Sequence, residues 1–305
     1  MATTTDDDVR RRVLSSVLKP PDFQSSSSLV KVEIGAKSHR GVTRHDNEDH
    51  YLVMRLRRDL QTLATSLPKS DLPPRQFEER AYAMLVADGL GSQGSGSLAG
   101  RVALSTIANL AVHYGEWNLR IDPTTAAQVI EKGLFLYGSA DQAVEARSAG
   151  IEALSEMATA LTVAYSVGDH LFVANVGHTR AYLFREGRLT MLTRDQTMAS
   201  HLAESGRPVA MKQNAQDFHH VLTDVIGGAP GEQPAVEIEH FRLINGDAVL
   251  LCTNGLTDAV TDPQICEVLS MRRHSREQCR MLVSLANKMS GEDNVTVVLA
   301  QYEMP

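Results

Sequence analysis

Short runs of apolar residues, several of them alternating with polar residues, recur along the chain and predict β-strands. The predicted strands cover residues 30–38, 50–56, 82–88, 160–167, 170–177, 180–186, 248–253 and 295–302. Turns at residues 168–169 and 186–187 connect neighbouring runs in the manner of hairpins. The pattern therefore predicts antiparallel sheets.

Apolar residues at intervals of three and four positions predict helices between the groups of strands. These helices cover residues 97–114, 125–147, 196–205 and 276–290. They do not follow each strand in turn, which argues against a regular βαβ winding. The predicted fold class is therefore α+β, with layers of sheets and helices.

Two polar stretches rich in proline or glycine, 57–80 and 203–237, separate predicted strands and are predicted to be inserts or loops. Loops of this length usually carry function or are disordered. His219 and His220 in the second stretch are candidate metal ligands. Because no carboxylate stands at motif spacing, solvated loop histidines are the favoured interpretation.

The first 28 residues are predicted to form a flexible tail, and the folded domain is predicted to span residues 29–305. Pro20, Pro21 and the serines at 25–28 separate the tail from the first strand. Apolar residues at helical spacing within the tail leave a short amphipathic helix as the alternative. The sequence has no signal-peptide pattern and no apolar run of about 18 residues, so we expect a cytoplasmic protein.

Composition and charge narrow the possible functions. With 305 residues, 43% of them hydrophobic, the chain can bury the core of one large domain or of two small ones. The formal net charge of -7 argues against broad affinity for nucleic acids or anionic membranes. Cys252, Cys266 and Cys279 do not have the spacing of a zinc site, so we expect reduced, structural cysteines.

Carboxylates stand at the ends of predicted strands. Asp88 ends the third predicted strand, and Asp293 comes shortly before the last one. Glu48 and Asp49 come directly before the second. Such side chains would suit Mg²⁺ or Mn²⁺, which prefer oxygen ligands. Strand ends also turn at Asp and Gly for structural reasons, but carboxylates at three strand ends together favour a metal site. Gly89 would leave room there for a backbone carbonyl to approach a cation.

Several motifs occur in a fixed order along the chain. They include "GVTRHDNEDHYLV" (41–53), "LVADGLGSQGSGSLAG" (85–100), "LTDVIGG" (222–228), "GDAVLLCTNGLTDAV" (246–260) and "GEDNVTVVLA" (291–300). In these motifs the chain resembles the metal-dependent protein serine/threonine phosphatases, the PPM family, in their bacterial form. The resemblance implies a four-layer α-β-β-α sandwich, in which two antiparallel sheets pack face to face between helix pairs.

The resemblance also implies a chemistry for the carboxylates. Two divalent cations, Mn²⁺ or Mg²⁺, would activate a water for attack on phosphoserine or phosphothreonine. The residues assigned by motif to the metal site are Glu48, Asp49, Asp88, Gly89, Asn254 and Asp293. Arg44 matches the arginine that binds substrate phosphate, and Arg44 and Asp88 are the candidate catalytic residues. The alternative for Arg44 is a solvated loop arginine.

The sequence departs from the family pattern at two aspartate positions. Asn254 stands where the family usually has Asp, and His178 stands in place of the Asp of Gly-Asp-Ser-Arg. Both aspartates are associated with metals in bacterial relatives, so we expect an absent or altered third metal site and a weakened core pair. Gln196 stands where His is common and is expected to affect loop packing more than catalysis.

The resemblance leaves more than one function open. The first is an active phosphatase whose substrate is a phosphorylated protein of a serine/threonine kinase pathway. The alternative is a pseudophosphatase, a phosphoprotein-binding regulatory module that retains Arg44 but turns over negligibly. An unrelated carboxylate-metal hydrolase is a remote third possibility. The first two predict neither nucleic-acid binding nor membrane insertion.

Overall fold

Two five-stranded sheets form the centre of the protein. The structure is a computed structural model, and it describes residues 26–68, 76–92, 94–114, 117–204, 217–228 and 231–305. Within these ranges the strands are β1 (Lys31–His39), β2 (His50–Gln61), β3 (Gln76–Leu90), β4 (Ala158–Val167), β5 (His170–Val176), β6 (Arg180–Arg185), β7 (Arg188–Met191), β8 (Glu237–Arg242), β9 (Ala248–Cys252) and β10 (Val295–Glu303). The first sheet has the order β1-β10-β9-β6-β7, and the second has the order β2-β3-β4-β5-β8. All of these pairings are antiparallel, as predicted.

The inner faces of the two sheets pack against each other. Met84 and Val86 of β3 belong to the same buried cluster as Leu251 of β9 and Val298 of β10. The intervening Leu85 belongs to a different cluster, which includes residues of the helix layer. This alternation follows from the two-residue period of a strand. A central strand such as β3 therefore contributes to an inner and an outer interface.

Helices cover the outer faces of both sheets. In the described ranges they are α1 (Ser26–Leu29), α2 (Ser95–Tyr114), α3 (Pro123–Ser148), α4 (Met198–Glu204), α5 (Asn254–Thr257), α6 (Asp262–Ser270) and α7 (Ser275–Met289). Helices α2 and α3 share a buried cluster with the second sheet, and α6 and α7 share one with the first. The predicted four-layer α-β-β-α sandwich is confirmed. Of the helices just given, none is long and apolar enough to cross a membrane.

The start of α3 shows how local sequence sets an element boundary. Asp122 precedes the helix, and its Oδ1 accepts hydrogen bonds from the backbone N–H groups of Thr124 at 2.9 Å and Thr125 at 2.8 Å. Pro123 occupies the first helical position, where no N–H group is needed. The helix therefore begins two residues before its predicted start.

The predicted insert at 57–80 is largely a β-ribbon. Strands β2 and β3 continue into it, and residues 57–61 pair with residues 76–80. The last five residues of β2 are all exposed, so no alternation of apolar and polar side chains marks them in the sequence. The insert prediction was therefore wrong for the paired residues, while residues 69–75 lie outside the described ranges.

Several short elements were not predicted. Strand β7 has only four residues, and β8 is an edge strand that pairs with β5 alone, so neither produces a strong pattern. Helices α5 and α6 are also short, with four and nine residues. Strand β8 begins at the end of the predicted loop 203–237, of which residues 205–216 and 229–230 lie outside the described ranges.

The described structure begins with α1. Most of the predicted tail, together with its possible amphipathic helix, falls on residues 1–25, which lie outside the described ranges. Ser27 in α1 is buried, and its Oγ accepts a hydrogen bond from the backbone N–H of Arg80 at 3.2 Å. This bond connects α1 to β3.

Candidate metal and phosphate site

The residues predicted to bind metal lie where both sheets contribute to one edge of the sandwich. Glu48 and Asp49 directly precede β2, and Asp88 lies near the end of β3 in the second sheet. Asp293 lies two residues before β10 of the first sheet. Asp49 and Asp88 are 3% and 9% exposed, so neighbouring strands hold two carboxylates away from solvent.

The buried carboxylates of this edge repel one another. Burial raises the pKa of Asp49, and the nearby Asp88 carboxylate raises it further. Burial likewise raises the pKa of Asp88 to about 8, with further contributions from Asp293 and Asp258. Arg44 lowers the pKa of Asp88 but does not cancel these effects. A bound cation would relieve this excess of negative charge.

Hydrogen bonds fix the orientation of Asp49. Thr253 directly follows β9, and its Oγ1 donates to Asp49 Oδ2 at 2.8 Å. The same Oγ1 accepts a hydrogen bond from the backbone N–H of Thr296 in β10 at 3.0 Å. The backbone N–H of Asp49 donates to Asn47 Oδ1 at 3.3 Å. Residues at β9 and β10 of the first sheet thus position the Asp49 carboxylate, which directly precedes β2 of the second sheet.

Asn294 fixes the loop that carries Arg44 and Glu48. Its Oδ1 accepts a hydrogen bond from the backbone N–H of Glu48 at 2.8 Å. Its Nδ2 donates to the backbone carbonyls of Arg40 at 2.8 Å and Asp46 at 2.9 Å. Because these bonds hold both ends of the loop, Asn294 positions the segment on which Arg44 lies.

The Arg44 side chain contacts the carboxylate edge from the solvent side. Its Nη2 lies 3.0 Å from Asp293 Oδ1. The side chains of Arg44 and Asp293 are 55% and 36% exposed. An exposed ion pair is weak, so the guanidinium can exchange this carboxylate for a phosphate.

Two glycines allow the backbone to come close together at the site. A Cβ atom on Gly89 would lie 2.3 Å from the carbonyl oxygen of Gly96 and 2.7 Å from that of Glu48. A Cβ atom on Gly255 would lie 1.9 Å from the carbonyl oxygen of Asn294. Only glycine fits at these positions without a backbone shift. The close approach at Gly89 brings the start of α2 to the site, and the close approach at Gly255 brings the start of α5 to it.

The two departures from the family pattern also lie here. Asn254 is the first residue of α5, so the polar step after β9 starts a helix, and its Nδ2 donates to Asp258 Oδ2 at 3.2 Å. His178 is buried, and its Nε2 lies 3.8 Å from Asp88 Oδ2. Burial lowers the pKa of His178, although Asp195 and Asp258 act to raise it. The imidazole is therefore biased towards its neutral form.

Gln196 holds the turn that carries His178. Its Oε1 accepts a hydrogen bond from the backbone N–H of Gly177 at 2.7 Å. Its Nε2 donates to the backbone carbonyl of Ala235 at 2.6 Å. The residue thus packs loops together, as expected, and in doing so it also sets the position of His178.

Sequence reasoning missed several residues of this edge. Thr253, Asp258 and Asn294 lie inside the motifs that carry the family resemblance, and that was the available signal. Burial raises the pKa of Asp258, and the nearby His220 opposes this effect. His219 and His220 are both exposed, as solvated loop histidines would be, yet His220 is close enough to act on the site.

The chemistry of these residues fits hard divalent cations. The candidate donors are carboxylate, carbonyl and amide oxygens, which Mg²⁺ and Mn²⁺ prefer. Oε1 of Glu48 is buried and has no hydrogen-bond partner among the described residues, so it is available to a cation. Within the described ranges, no three acidic, histidine or cysteine side chains already converge as metal ligands do. The side chains would therefore have to close around a cation on binding.

Comparison with known proteins identifies the family. A family model described as Protein phosphatase 2C matches residues 64–292. The chain belongs to the protein phosphatase 2C family. This match confirms the resemblance seen in the ordered motifs, and the matched residues include Asp88, His178 and Asn254.

Bacterial phosphatases of the protein phosphatase 2C type are similar in sequence. The serine/threonine protein phosphatase PstP of Mycobacterium tuberculosis is 30% identical over 73% of this chain. The chain spans only 41% of the length of that relative. The serine/threonine phosphatase stp of Listeria monocytogenes is 27% identical, and the match covers 88% of this chain and 95% of the relative.

Solved structures of protein phosphatase 2C relatives share the fold. The crystal structure of M. tuberculosis PstP/Ppp has a TM-score of 0.69 at 25% identity and covers 89% of this chain and 99% of that one. The catalytic domain of PstP in complex with two manganese ions has a TM-score of 0.66 at 25% identity, with coverage of 90% and 99%. The similarity thus extends over nearly the whole catalytic domain of PstP.

Proposed function

We propose that this protein is a metal-dependent phosphatase that hydrolyses phosphoserine and phosphothreonine in proteins. The observation that carries the proposal is that Asp49 and Asp88 are both buried and repel each other, while the partly exposed Arg44 lies beside them. Membership of the protein phosphatase 2C family and the names of the bacterial relatives support it.

The metal ligands in this proposal are those assigned from the motifs. They are Glu48, Asp49, Asp88, the carbonyl of Gly89, Asn254 and Asp293. When bound, a pair of Mn²⁺ or Mg²⁺ ions supplies a nucleophilic water at neutral pH and offsets the charge of the phosphate. The chain contributes the geometry, because Thr253 and the β2–β3 pairing hold Asp49 and Asp88 in place. The manganese-bound PstP structure supports the choice of cation.

Arg44 is the proposed phosphate-binding residue. Its guanidinium has a planar arrangement of N–H donors that matches two oxygens of a phosphate. In the structure one of its nitrogens contacts Asp293, and the rest of the side chain is open to solvent. Substrate phosphate would compete with the Asp293 carboxylate for Arg44. Cations bound at Asp293 would offset the charge of this carboxylate and so weaken its interaction with Arg44.

The proposed substrate class is a phosphorylated protein, with a serine/threonine kinase pathway as its source. The site is open at the edge of the sandwich, with the side chain of Arg44 more than half exposed, so a phosphorylated side chain of a protein can approach it. The proteins named serine/threonine phosphatases among the relatives support this class.

Phosphatase assays with matched variants test the proposal. p-Nitrophenyl phosphate and a phosphothreonine peptide would be supplied with and without Mn²⁺ to wild type, Asp88→Ala and Asp59→Ala. Asp59 is a half-exposed carboxylate of the β-ribbon and serves as the control. We expect Asp88→Ala to lower kcat/KM by about 10³-fold and Asp59→Ala to leave it unchanged.

Equal rates for wild type and Asp88→Ala at saturating Mn²⁺ would overturn the enzyme proposal. If wild type then still bound the phosphothreonine peptide, and if Arg44→Ala removed that binding, the pseudophosphatase would be the correct function. The comparisons lend that alternative no support, because the relatives are named serine/threonine phosphatases.

A further inference from the structure

A second concave site lies between the second sheet and its helix layer. It is a cavity of about 120 Å³ beneath α2 and α3. None of the carboxylates of the metal edge lines it. Neither the family resemblance nor the proposed phosphatase reaction uses this part of the molecule.

The register of the second sheet explains the floor of this cavity. Leu85 pairs with Val163, Val163 with Ala174, and Ala174 with Ile238, so these residues form one row across four strands. The small Ala174 stands in this row between larger side chains. It leaves a depression that the helix layer has to fill.

The helices above the floor do not fill the depression. Ala111 of α2 and Gly133 of α3 are the small residues of the roof, and Ile107 and Leu136 stand beside them. A Cβ atom on Gly133 would lie 2.8 Å from Cδ1 of Ile238, so α3 comes close to the edge strand β8 at this position. The space between these contacts stays open.

The lining of the cavity is largely apolar, and Asn118 and Lys132 contribute its polar side chains. The hydroxyl of Tyr137 lies 2.8 Å from the carbonyl oxygen of Ala174 and 3.1 Å from that of Leu161. The hydroxyl of Tyr165 donates to the carbonyl of Asn118 at 3.1 Å. In the described part of the chain, no buried side-chain atom without a hydrogen-bond partner lines this space. The largely apolar lining therefore favours an apolar occupant.

We propose that this cavity binds a compact, uncharged, apolar small molecule of about the size of one aromatic ring. The volume supports this class, because an engineered apolar cavity of about 150 Å³ in another protein stays dry and binds benzene. The lining supports it as well, because a ligand there gains apolar burial without having to satisfy a hydrogen bond. The proposal does not depend on phosphatase activity.

Benzene is the probe for this site, and neighbouring positions of α2 provide matched variants. Ala111 lines the cavity, whereas the side chain of Val112, the next residue, is exposed at 68%. Ala111→Leu places additional side-chain atoms in the cavity, and Val112→Leu places the same side chain outside it. Saturation-transfer NMR and the thermal unfolding midpoint of the full chain would be measured for each variant with and without benzene.

We expect benzene to give a saturation-transfer signal with wild type and Val112→Leu, and to raise their Tm by about 2 °C. Both effects should be lost in Ala111→Leu. If Ala111→Leu does not fold, Ala174→Leu fills the cavity from the floor and should lose both effects. Absence of binding to folded wild type, or equal binding by wild type and a folded cavity-filling variant, would overturn the proposal.

Discussion

Two groups of buried carboxylates in this protein have opposite surroundings. Outside the candidate site, Glu79 is fully buried and contacts the guanidinium groups of Arg58 and Arg120. Asp247 is 1% exposed and accepts hydrogen bonds from Arg185 at 2.8 Å and 2.7 Å. Each of these carboxylates is neutralised by arginines of the same chain, as a structural ion pair is.

At the candidate site the buried carboxylates face mainly other negative charges instead of arginines. Asp49 and Asp88 are also buried, but their strongest charged neighbours are other carboxylates. Arg44, which lowers the pKa of Asp88, lies on the exposed side and contacts Asp293. Buried charges that no opposite charge compensates lower the stability of the fold. Glu79 and Asp247 are therefore structural carboxylates, whereas Asp49 and Asp88 are candidate ligand-binding carboxylates.

The largest expected effect comes from removing one charge of the site. Asp49→Asn keeps an oxygen that can accept the hydrogen bond from Thr253. It removes a cation ligand, so we expect kcat/KM with Mn²⁺ to fall by about 10³-fold. In EDTA it removes a like-charge repulsion, so the free energy of unfolding should rise by about 1 kcal/mol. Steady-state kinetics and urea unfolding measure the two effects.

A loss of stability in Asp49→Asn without cations would contradict the comparison, because it would make Asp49 a structural carboxylate. Thr253→Val offers a control for the hydrogen bonds of the Thr253 hydroxyl. It removes the bond to Asp49 and the bond from the backbone N–H of Thr296 but leaves the Asp49 charge, so it should lower stability both with and without cations.

The opposite result is expected for a carboxylate that is neutralised within the chain. Asp247→Asn removes the charge that faces Arg185 and should lower the free energy of unfolding by about 2 kcal/mol. Arg185 is only partly buried, which keeps the loss below that of a fully buried pair. Urea unfolding measures the effect, and phosphatase activity with Mn²⁺ should not change. Asp59→Asn at a half-exposed position should change stability by less than about 0.5 kcal/mol.

Asn254 provides a way to strengthen the site. Asn254→Asp adds a carboxylate beside Asp258 and next to Gly255, which packs against the backbone of Asn294, and it increases the attraction for cations. We expect the Kd for Mn²⁺, measured by isothermal titration calorimetry, to fall by about tenfold. Asn245→Asp adds the same charge in an exposed turn away from the site and should leave the Kd unchanged. An unchanged Kd in Asn254→Asp would show that this position does not contact the cations.

The site and the fold differ in how far the sequence predicts them. Strand β10 is mostly apolar, and its predicted C-terminal end differs from the observed one by one residue. The ribbon formed by residues 57–61 and 76–80 was missed because the last five residues of β2 are all exposed and show no alternation. The roles of Thr253 and Asn294 depend on partners 204 and 246 positions away, at Asp49 and Glu48. A linear pattern contains no information on such contacts unless a family motif supplies it.

The smallest expected effect concerns Glu33, a carboxylate intermediate between the two groups. Burial acts to raise its pKa, but hydrogen bonds from His274 and from Ser275 at the start of α7 outweigh burial, and the pKa is lowered. A lowered pKa in the folded state adds stability above the pKa of the unfolded chain, and this stability is lost as the pH falls through the folded pKa. The side chain is 47% exposed, so solvent screens the effect.

Glu33→Gln should therefore lower the free energy of unfolding by about 0.5 kcal/mol at pH 7, and the difference from wild type should shrink as the pH falls below about 4. Urea unfolding at a series of pH values measures it. Glu303→Gln is the matched control, because Glu303 forms an exposed ion pair with Lys31 and should show a smaller difference. If the Glu33→Gln difference grew on acidification, the hydrogen bonds at the start of α7 would not favour the charged form, and Glu33 would belong with the uncompensated carboxylates of the site.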